Sequence, residues 1–247
     1  MPLLEIDDVS VRFGGVAALD RVSLDADEGA VTGLIGPNGA GKTTLFNVIC
    51  GLQVPTQGKV MFDGQDVTRL KPHHRARLGI GRTFQKLEIF GSLTVRENQL
   101  VAAEARQRWV WDGSEPRAVA DHAVNTIGLQ SVANERADSL PTGLMRLVEF
   151  GRALAAKPRM LLLDEVSSGL SDEEAQEVAD LMRELAAEGL GILLVGHDME
   201  LVMEVCTRVH VLEFGKIIAA GTPAEVQANE AVREAYLGTA EVEETAS

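Results

Sequence analysis

Ala30-Val31-Thr32-Gly33-Leu34-Ile35-Gly36-Pro37-Asn38-Gly39-Ala40-Gly41-Lys42-Thr43-Thr44-Leu45 is the stretch from which the rest of the chain can be read. Ala30 to Ile35 is a short, largely apolar run, the pattern of a strand buried on both faces. Gly36 to Thr43 fits G-x-x-x-x-G-K-[ST], and Leu45 to Leu52 carries apolar residues at helical spacing. A strand, a glycine-rich turn and a helix in that order let several backbone N–H groups converge on phosphate oxygens at the positive end of the helix. Gly36, Pro37, Asn38, Gly39, Ala40 and Gly41 are therefore the candidate cradle of a bound nucleotide. Lys42 can reach the β- and γ-phosphates as a point charge. The Thr43 hydroxyl is a candidate Mg²⁺ ligand, and Thr44 can support a further phosphate oxygen.

A phosphate loop alone also suits a GTPase, a small-molecule kinase or a DNA-repair ATPase, so the discrimination comes from further along. Met160-Leu161-Leu162-Leu163-Asp164-Glu165 reads as a buried strand ending in two acids. There Asp164 can belong to the Mg²⁺ shell and Glu165 can polarise an attacking water. Gly191 to Val195 is another buried strand. Fully apolar strands separated by helices predict a parallel sheet covered on both faces.

Leu4-Glu5-Ile6-Asp7, Val9 to Phe13 and Val22 to Ala26 instead alternate apolar and polar residues, as half-buried antiparallel strands do, with Gly14-Gly15 and Gly29 as punctuation. Residues 86–156 are charged and alanine-rich at helical spacing, interrupted at Gly113-Ser114-Glu115-Pro116. Val205 to Ile218 predicts a late strand and a hairpin through Glu213-Phe214-Gly215-Lys216, and Pro223 to Leu237 a terminal helix capped by Thr222.

The fold expected is α/β: a P-loop NTPase core with a mostly parallel sheet, an N-terminal antiparallel β-subdomain and an inserted α-helical subdomain. In residue terms, 1–85 and 157–222 make the core with its β-subdomain. Residues 86–156 make the helical subdomain, 223–238 a C-terminal helix and 239–247 an acidic tail.

The chain has 247 residues, 45% hydrophobic and 24% charged, enough for one such domain without a staple. Its net charge of -14 opposes nucleic-acid binding, which needs a basic footprint to displace counterions. No stretch approaches the roughly 20 apolar residues that span a bilayer, and the N-terminus lacks a basic region followed by an apolar one. The expectation is a cytoplasmic protein unless another subunit holds it at a membrane. Cys50 and Cys206 stand in apolar surroundings and read as buried core residues.

With these residues in place the chain resembles the ATP-binding-cassette family from Leu3 to about Gly238. Gln85, in Gly81-Arg82-Thr83-Phe84-Gln85, is similar to that family's Q-loop glutamine, a further Mg²⁺ ligand; His197, in Leu194-Val195-Gly196-His197-Asp198, is similar to its switch histidine. Phe13 resembles the aromatic that stacks on adenine, a core phenylalanine being the other reading. Leu140-Pro141-Thr142-Gly143-Leu144 falls at the signature motif, usually Leu-Ser-Gly-Gly-Gln, which in the family faces the γ-phosphate held by the opposite subunit. Only Leu140 and Gly143 agree, and Pro141 brings neither the serine hydroxyl nor a backbone N–H. Val166 stands where proline is usual and Ser171 where aspartate is usual. Motifs facing a second subunit are thus altered, while those acting on the chain's own nucleotide are intact.

The resemblance is closest to subunits that energise uptake of branched-chain amino acids, through Gly196-His197-Asp198-Met199-Glu200-Leu201-Val202-Met203 and Val232-Arg233-Glu234-Ala235-Tyr236-Leu237-Gly238. It implies an ATPase using ATP and Mg²⁺, held peripherally at the cytoplasmic face of the cell membrane by two transmembrane permease subunits. It further implies a second ATPase subunit, here a different one with an intact signature, and indirectly an extracytoplasmic solute-binding protein. Gln85 to Phe90 would line the permease groove; Trp109 and Trp111 are candidates for an outer apolar contact, or pack within the helical subdomain. The rivals are a soluble cassette ATPase acting on nucleic acid or translation, and a catalytically weak regulator.

Overall fold

The computed structural model describes residues 1–236 apart from Phe84, Gln85, Trp111 and His197. The expectations for Gln85, His197, Trp111 and the acidic tail lie outside the described residues.

β1 (Leu4–Phe13) and β2 (Val16–Ala26) form a hairpin. β3 (Val31–Ile35) then runs into α1 (Lys42–Cys50). β4 (Gln57–Phe62), β5 (Gln65–Asp66), α2 (Pro72–Leu78) and β6 (Ile80–Arg82) follow, and then α3 (Val95–Gln107), α4 (Pro116–Thr126) and α5 (Thr142–Ala155). The chain returns through β7 (Met160–Asp164), α6 (Asp172–Ala187), β8 (Gly191–Val195), α7 (Met199–Val205), β9 (Arg208–Glu213), β10 (Lys216–Gly221) and α8 (Pro223–Ala228).

Two sheets result. One has the order β2-β1-β4-β5 and is antiparallel; the other has the order β10-β9-β3-β8-β7-β6 and is parallel except for β10. The mostly parallel sheet and the separate antiparallel one are both as expected from the sequence.

Strand alternation explains how the sheet is covered twice. Val31, Ile35, Leu161, Leu163, Ile192, Leu194, Val209 and Val211 join one core cluster with Phe150 of α5, Met182 of α6 and Val202 of α7. Their neighbours Leu34, Met160, Leu162, Leu193, Val195 and Leu212 join a second cluster with Phe46 and Ile49 of α1 and Ile6 and Phe62 of the antiparallel sheet. A strand with apolar partners on both faces has no reason to alternate polar residues, which is why these runs look continuous in the sequence.

Several boundaries differ from the sequence reading. Leu4 to Asp7 and Val9 to Phe13 are one strand, broken in register where Asp8 takes a φ of 52° and bulges between its pairings to β2. The bulge resets which side chains face inward, and so mimics a strand end. The terminal helix stops at Ala228, because Asn229 is extended (φ -75°, ψ 125°); a separate run over 230–236 starts behind it. Thr222 caps α8 as expected, in a reciprocal box with Glu225. Val205 ends α7 rather than opening β9.

Candidate functional site

The phosphate loop leaves the end of β3, the strand between β9 and β8, and β7 ends one strand further away. The loop and the two acids thus meet beyond the carboxyl ends of the parallel strands, the edge where open α/β sheets hold their ligands. A cleft of about 240 Å³ is lined there by Asn38 to Thr44, Asp164 and Glu165, with Ala18 of β2 and Val195 of β8.

Gly36 opens the loop at a φ of 152°, and a Cβ there would collide with the Leu212 carbonyl, so no other residue fits. Gly41, left-handed at φ 112°, caps α1. Lys42 is 8% exposed; its ammonium donates to the Gly36 carbonyl and, at 3.0 Å, to that of Pro37. Burial lowers the Lys42 pKa, against the pull of Glu165 and Asp164.

Asp164 is 3% exposed, and burial raises its pKa; Arg82 opposes that shift most strongly. Its backbone N–H donates to Thr83 Oγ1 at 3.0 Å, and its Oδ2 lies 3.8 Å from Arg82 Nη2. That Oδ2 is buried with no hydrogen-bond partner among the described residues. A hard anionic oxygen left without a donor, beside the Thr43 hydroxyl in one cleft, fits a divalent cation whose other ligands are phosphate and water oxygens. No cluster of three or more His, Cys, Asp or Glu occurs among the described residues.

Glu165 follows at a φ of 53°, a costly conformation for a residue with a side chain. It is held by its N–H to the Val195 carbonyl at 2.9 Å and by Val166, which is 2% exposed. Lys42, Thr43, Thr44, Asp164 and Glu165 are therefore brought together, in an arrangement suited to polyphosphate binding and activation of a water.

Other predicted residues lie elsewhere. Phe13 is 53% exposed at the tip of the β1–β2 hairpin, which excludes the core reading; it does not line the cleft, though β2 of the same hairpin lends Ala18. Leu140 is buried, Pro141 and Thr142 are exposed, and α5 begins at Thr142 with no side-chain cap. None of residues 140–144 lines the chain's own cleft. Gly143 abuts Gly169 and Leu170 so closely that a Cβ would lie 2.8 Å from the Gly169 carbonyl, joining the altered motif to the segment after Glu165. Ser171 caps α6, accepting from the Glu174 N–H at 3.2 Å and donating its own N–H to Glu174 Oε2 at 2.8 Å.

Arg82 and Thr83 are the residues that sequence reasoning missed. Arg82 also donates to Asn47 Oδ1 of α1 at 2.9 Å, so one guanidinium links the loop's helix to the acid. They stand in the segment quoted for its glutamine, but nothing in linear order pairs them with Asp164.

Known proteins resemble the chain over nearly its whole length. Residues 19–168 match the family profile described as ABC transporter, and residues 216–242 match that of the branched-chain amino acid ATP-binding cassette transporter. The chain is 37% identical to the high-affinity branched-chain amino acid transport ATP-binding protein BraF of Pseudomonas aeruginosa, over 97% of this chain and 99% of that protein. It is 38% identical to LivG of Salmonella typhimurium, of the same description and coverage, and 35% identical to the lipopolysaccharide export ATP-binding protein LptB of Haemophilus influenzae, over 96% and 98%. Among solved structures, a nucleotide-free ATP-binding cassette from an ABC transporter superposes with a TM-score of 0.86 at 32% identity, covering 96% of this chain and 99% of that one. An ADP-bound cassette gives 0.83 at 31% identity, over 96% and 99%. The chain therefore belongs to the ABC transporter family, as a nucleotide-binding, ATP-hydrolysing subunit that energises transport across a membrane.

Proposed function

We propose that the chain energises the uptake of branched-chain amino acids or similar small polar solutes, docked on membrane permease subunits at the cytoplasmic face. The match of residues 216–242 to the branched-chain profile carries this reading, because it lies outside the nucleotide site that all cassettes need in common. It favours uptake over the export that the LptB likeness would suggest. No helix among the described residues is long and apolar enough to cross a membrane, and in this reading the permease subunits supply the permeation path.

In this reading Gly36 to Thr44 cradle the ATP phosphates, and Phe13 stacks on adenine from the exposed hairpin. Thr43 and Asp164, with Gln85, hold Mg²⁺, which neutralises phosphate charge when bound. Glu165 accepts the proton of the attacking water and His197 assists at the γ-phosphate. Residues 1–85 and 157–222 act as the core, and 86–156 as a helical subdomain that passes its motion outward.

The supporting feature for docking is a groove of about 800 Å³ between β6, α2 and the helices α3 and α5. Its lining includes Ile89, Phe90, Val101 and Trp109, of which Phe90 is 46% and Trp109 39% exposed, and Arg82, which reaches Asp164 from its floor. An apolar groove of that size with a charged link to the acid suits a permease helix whose movement is to be felt at the nucleotide. Leu140 to Leu144 would face the ATP of a second, different ATPase subunit, and a solute-binding protein would deliver cargo to the permeases.

Affinity purification of the tagged chain from gently solubilised membranes, with the captured subunits identified by mass spectrometry, tests this. Multi-span permeases and an intact-signature ATPase are expected. Recovery of the chain alone, or with nucleic-acid proteins, would sink the transport reading.

A further inference from the structure

A buried carboxylate is unstable unless positive charge stands near it. Asp164 is such a group, and the Lys42 ammonium beside it is already directed at the carbonyls of Gly36 and Pro37. Arg82 supplies charge without contact. Its Nη2 stops 3.8 Å from Asp164 Oδ2, near enough for Coulombic attraction and too far for a hydrogen bond. The two side chains are only 8% and 4% exposed, so water screens them little.

The guanidinium is held back by its other partners. Nη1 donates to Asn47 Oδ1 of α1 at 2.9 Å, Nε donates to the Thr83 carbonyl at 3.0 Å, and the guanidinium carbon lies 5.7 Å from the centre of the Phe46 ring. Asp164 is fixed separately, through its backbone N–H on Thr83 Oγ1 at 3.0 Å. Its Oδ2 is left with no hydrogen-bond partner among the described residues.

We propose that Arg82 is a positioning residue for the metal: tethered by Asn47, it balances the charge of the Asp164 carboxylate while leaving Oδ2 open to a divalent cation. A guanidinium that closed the remaining gap would take that oxygen in a charge-assisted hydrogen bond and exclude the cation. An uncharged side chain would leave the buried carboxylate to the cation alone. The tether thus sets how strongly Asp164 takes Mg²⁺. Arg82 also lines the apolar groove, so a segment seated there meets the residue that tunes the metal site. The inference rests on reading Thr43 and Asp164 as Mg²⁺ ligands.

Calorimetric titration of the purified full-length chain with ADP, in Mg²⁺ and in EDTA, measures the gain in affinity that the metal brings. Arg82→Gln removes the competing charge, and the gain is expected to rise about tenfold, the scale on which a charge within about 4–6 Å moves a neighbouring ionic equilibrium. Asn47→Ala keeps the charge and cuts the tether, so the guanidinium can close on Oδ2; here the gain is expected to fall about three- to tenfold, the effect of one hydrogen bond. A merely structural part for Arg82 would move both variants in the same direction. Either variant overturns the inference if its gain moves the other way or stays unchanged. The reading beneath it is tested apart: a wild-type chain with no gain from Mg²⁺, or an Asp164→Asn variant that keeps the gain, would remove Asp164 as a metal ligand.

Discussion

Glu165 combines a positive φ, a place at the mouth of the phosphate cleft and a backbone tie to β8. Strain retained at one acid of a pair is characteristic of functional positions. Glu165→Gln keeps the shape and removes the base, so steady-state phosphate release is expected to slow by about 10² to 10⁴ while ATP still binds; unchanged turnover would take Glu165 out of that role. A second residue sets a pH response. His210 on β9 is 2% exposed; Nε2 lies 3.3 Å from the Asp25 carbonyl, and Nδ1 has no hydrogen-bond partner among the described residues. Burial depresses its pKa, with Asp25 pulling it up and Arg208 pushing it down. Because the unfolded chain takes up this proton first, the contribution of neutral His210 to stability is complete above the unfolded value of about 6.5 and is lost as pH falls below it towards the folded value. His210→Gln should therefore show a smaller drop in Tm than wild type between about pH 6.5 and 5. The acids themselves were legible in the sequence because a strand ending in two carboxylates is a local pattern. Arg82 was not, since its partners Asp164 and Asn47 come to it only through sheet pairing and helix packing.

At the level of elements, the runs that could be read were those with a clean period: β3, β7 and β8 as buried strands and the helices of 86–156 as a group. β4, β5, α2 and β6 escaped. α2 shows why, because its most buried residue is an arginine, contrary to any apolar pattern. Arg75 is 1% exposed and donates to the carbonyls of Leu70, Thr68, Val48 and Ile49 at 2.6–3.1 Å, the last two at the end of α1. It supplies the Ile49 carbonyl with a donor, adds a second one at the Val48 carbonyl, which also accepts from the Gly51 N–H at 3.1 Å, and neutralises the negative pole of that helix. Replacing it with methionine keeps bulk but strands those acceptors, and about 3 kcal/mol of stability is expected to go with them. In thermal unfolding that corresponds to a Tm lower by roughly 6–12 °C; a shift under a degree would show the carbonyls to be hydrated instead. Ser171 is also an element-scale finding. Read in sequence as a lost dimer-facing aspartate, it has a local task as the cap of α6.

For the whole molecule, what matters is that the phosphate loop and the two acids line one cleft while the start of α5 presents an exposed Pro141 and Thr142 with no side-chain cap. A second subunit would meet a helix end whose cap residue, Pro141, has no N–H. In the proposed reading, two copies of this chain would form two weakened composite sites, whereas a partner with an intact signature would complete the site built on Lys42 and Glu165. ATPase activity of the chain mixed with such a partner is expected to exceed that of the isolated chain at least about tenfold, in keeping with loss of one group that stabilises transition-state charge. Equally brisk hydrolysis by the isolated chain would refute the asymmetry. By itself the sequence determined the phosphate loop, the paired acids and the α/β class, because each rests on local runs whose spacing reports local geometry, while motifs dispersed along the chain carried the resemblance to the family. The tertiary structure alone decided that Arg82 and Thr83 hold Asp164, that Arg75 closes α1 and that Phe13 is exposed. Those contacts join residues far apart along the chain, and a linear pattern carries no record of which buried polar groups folding will bring together.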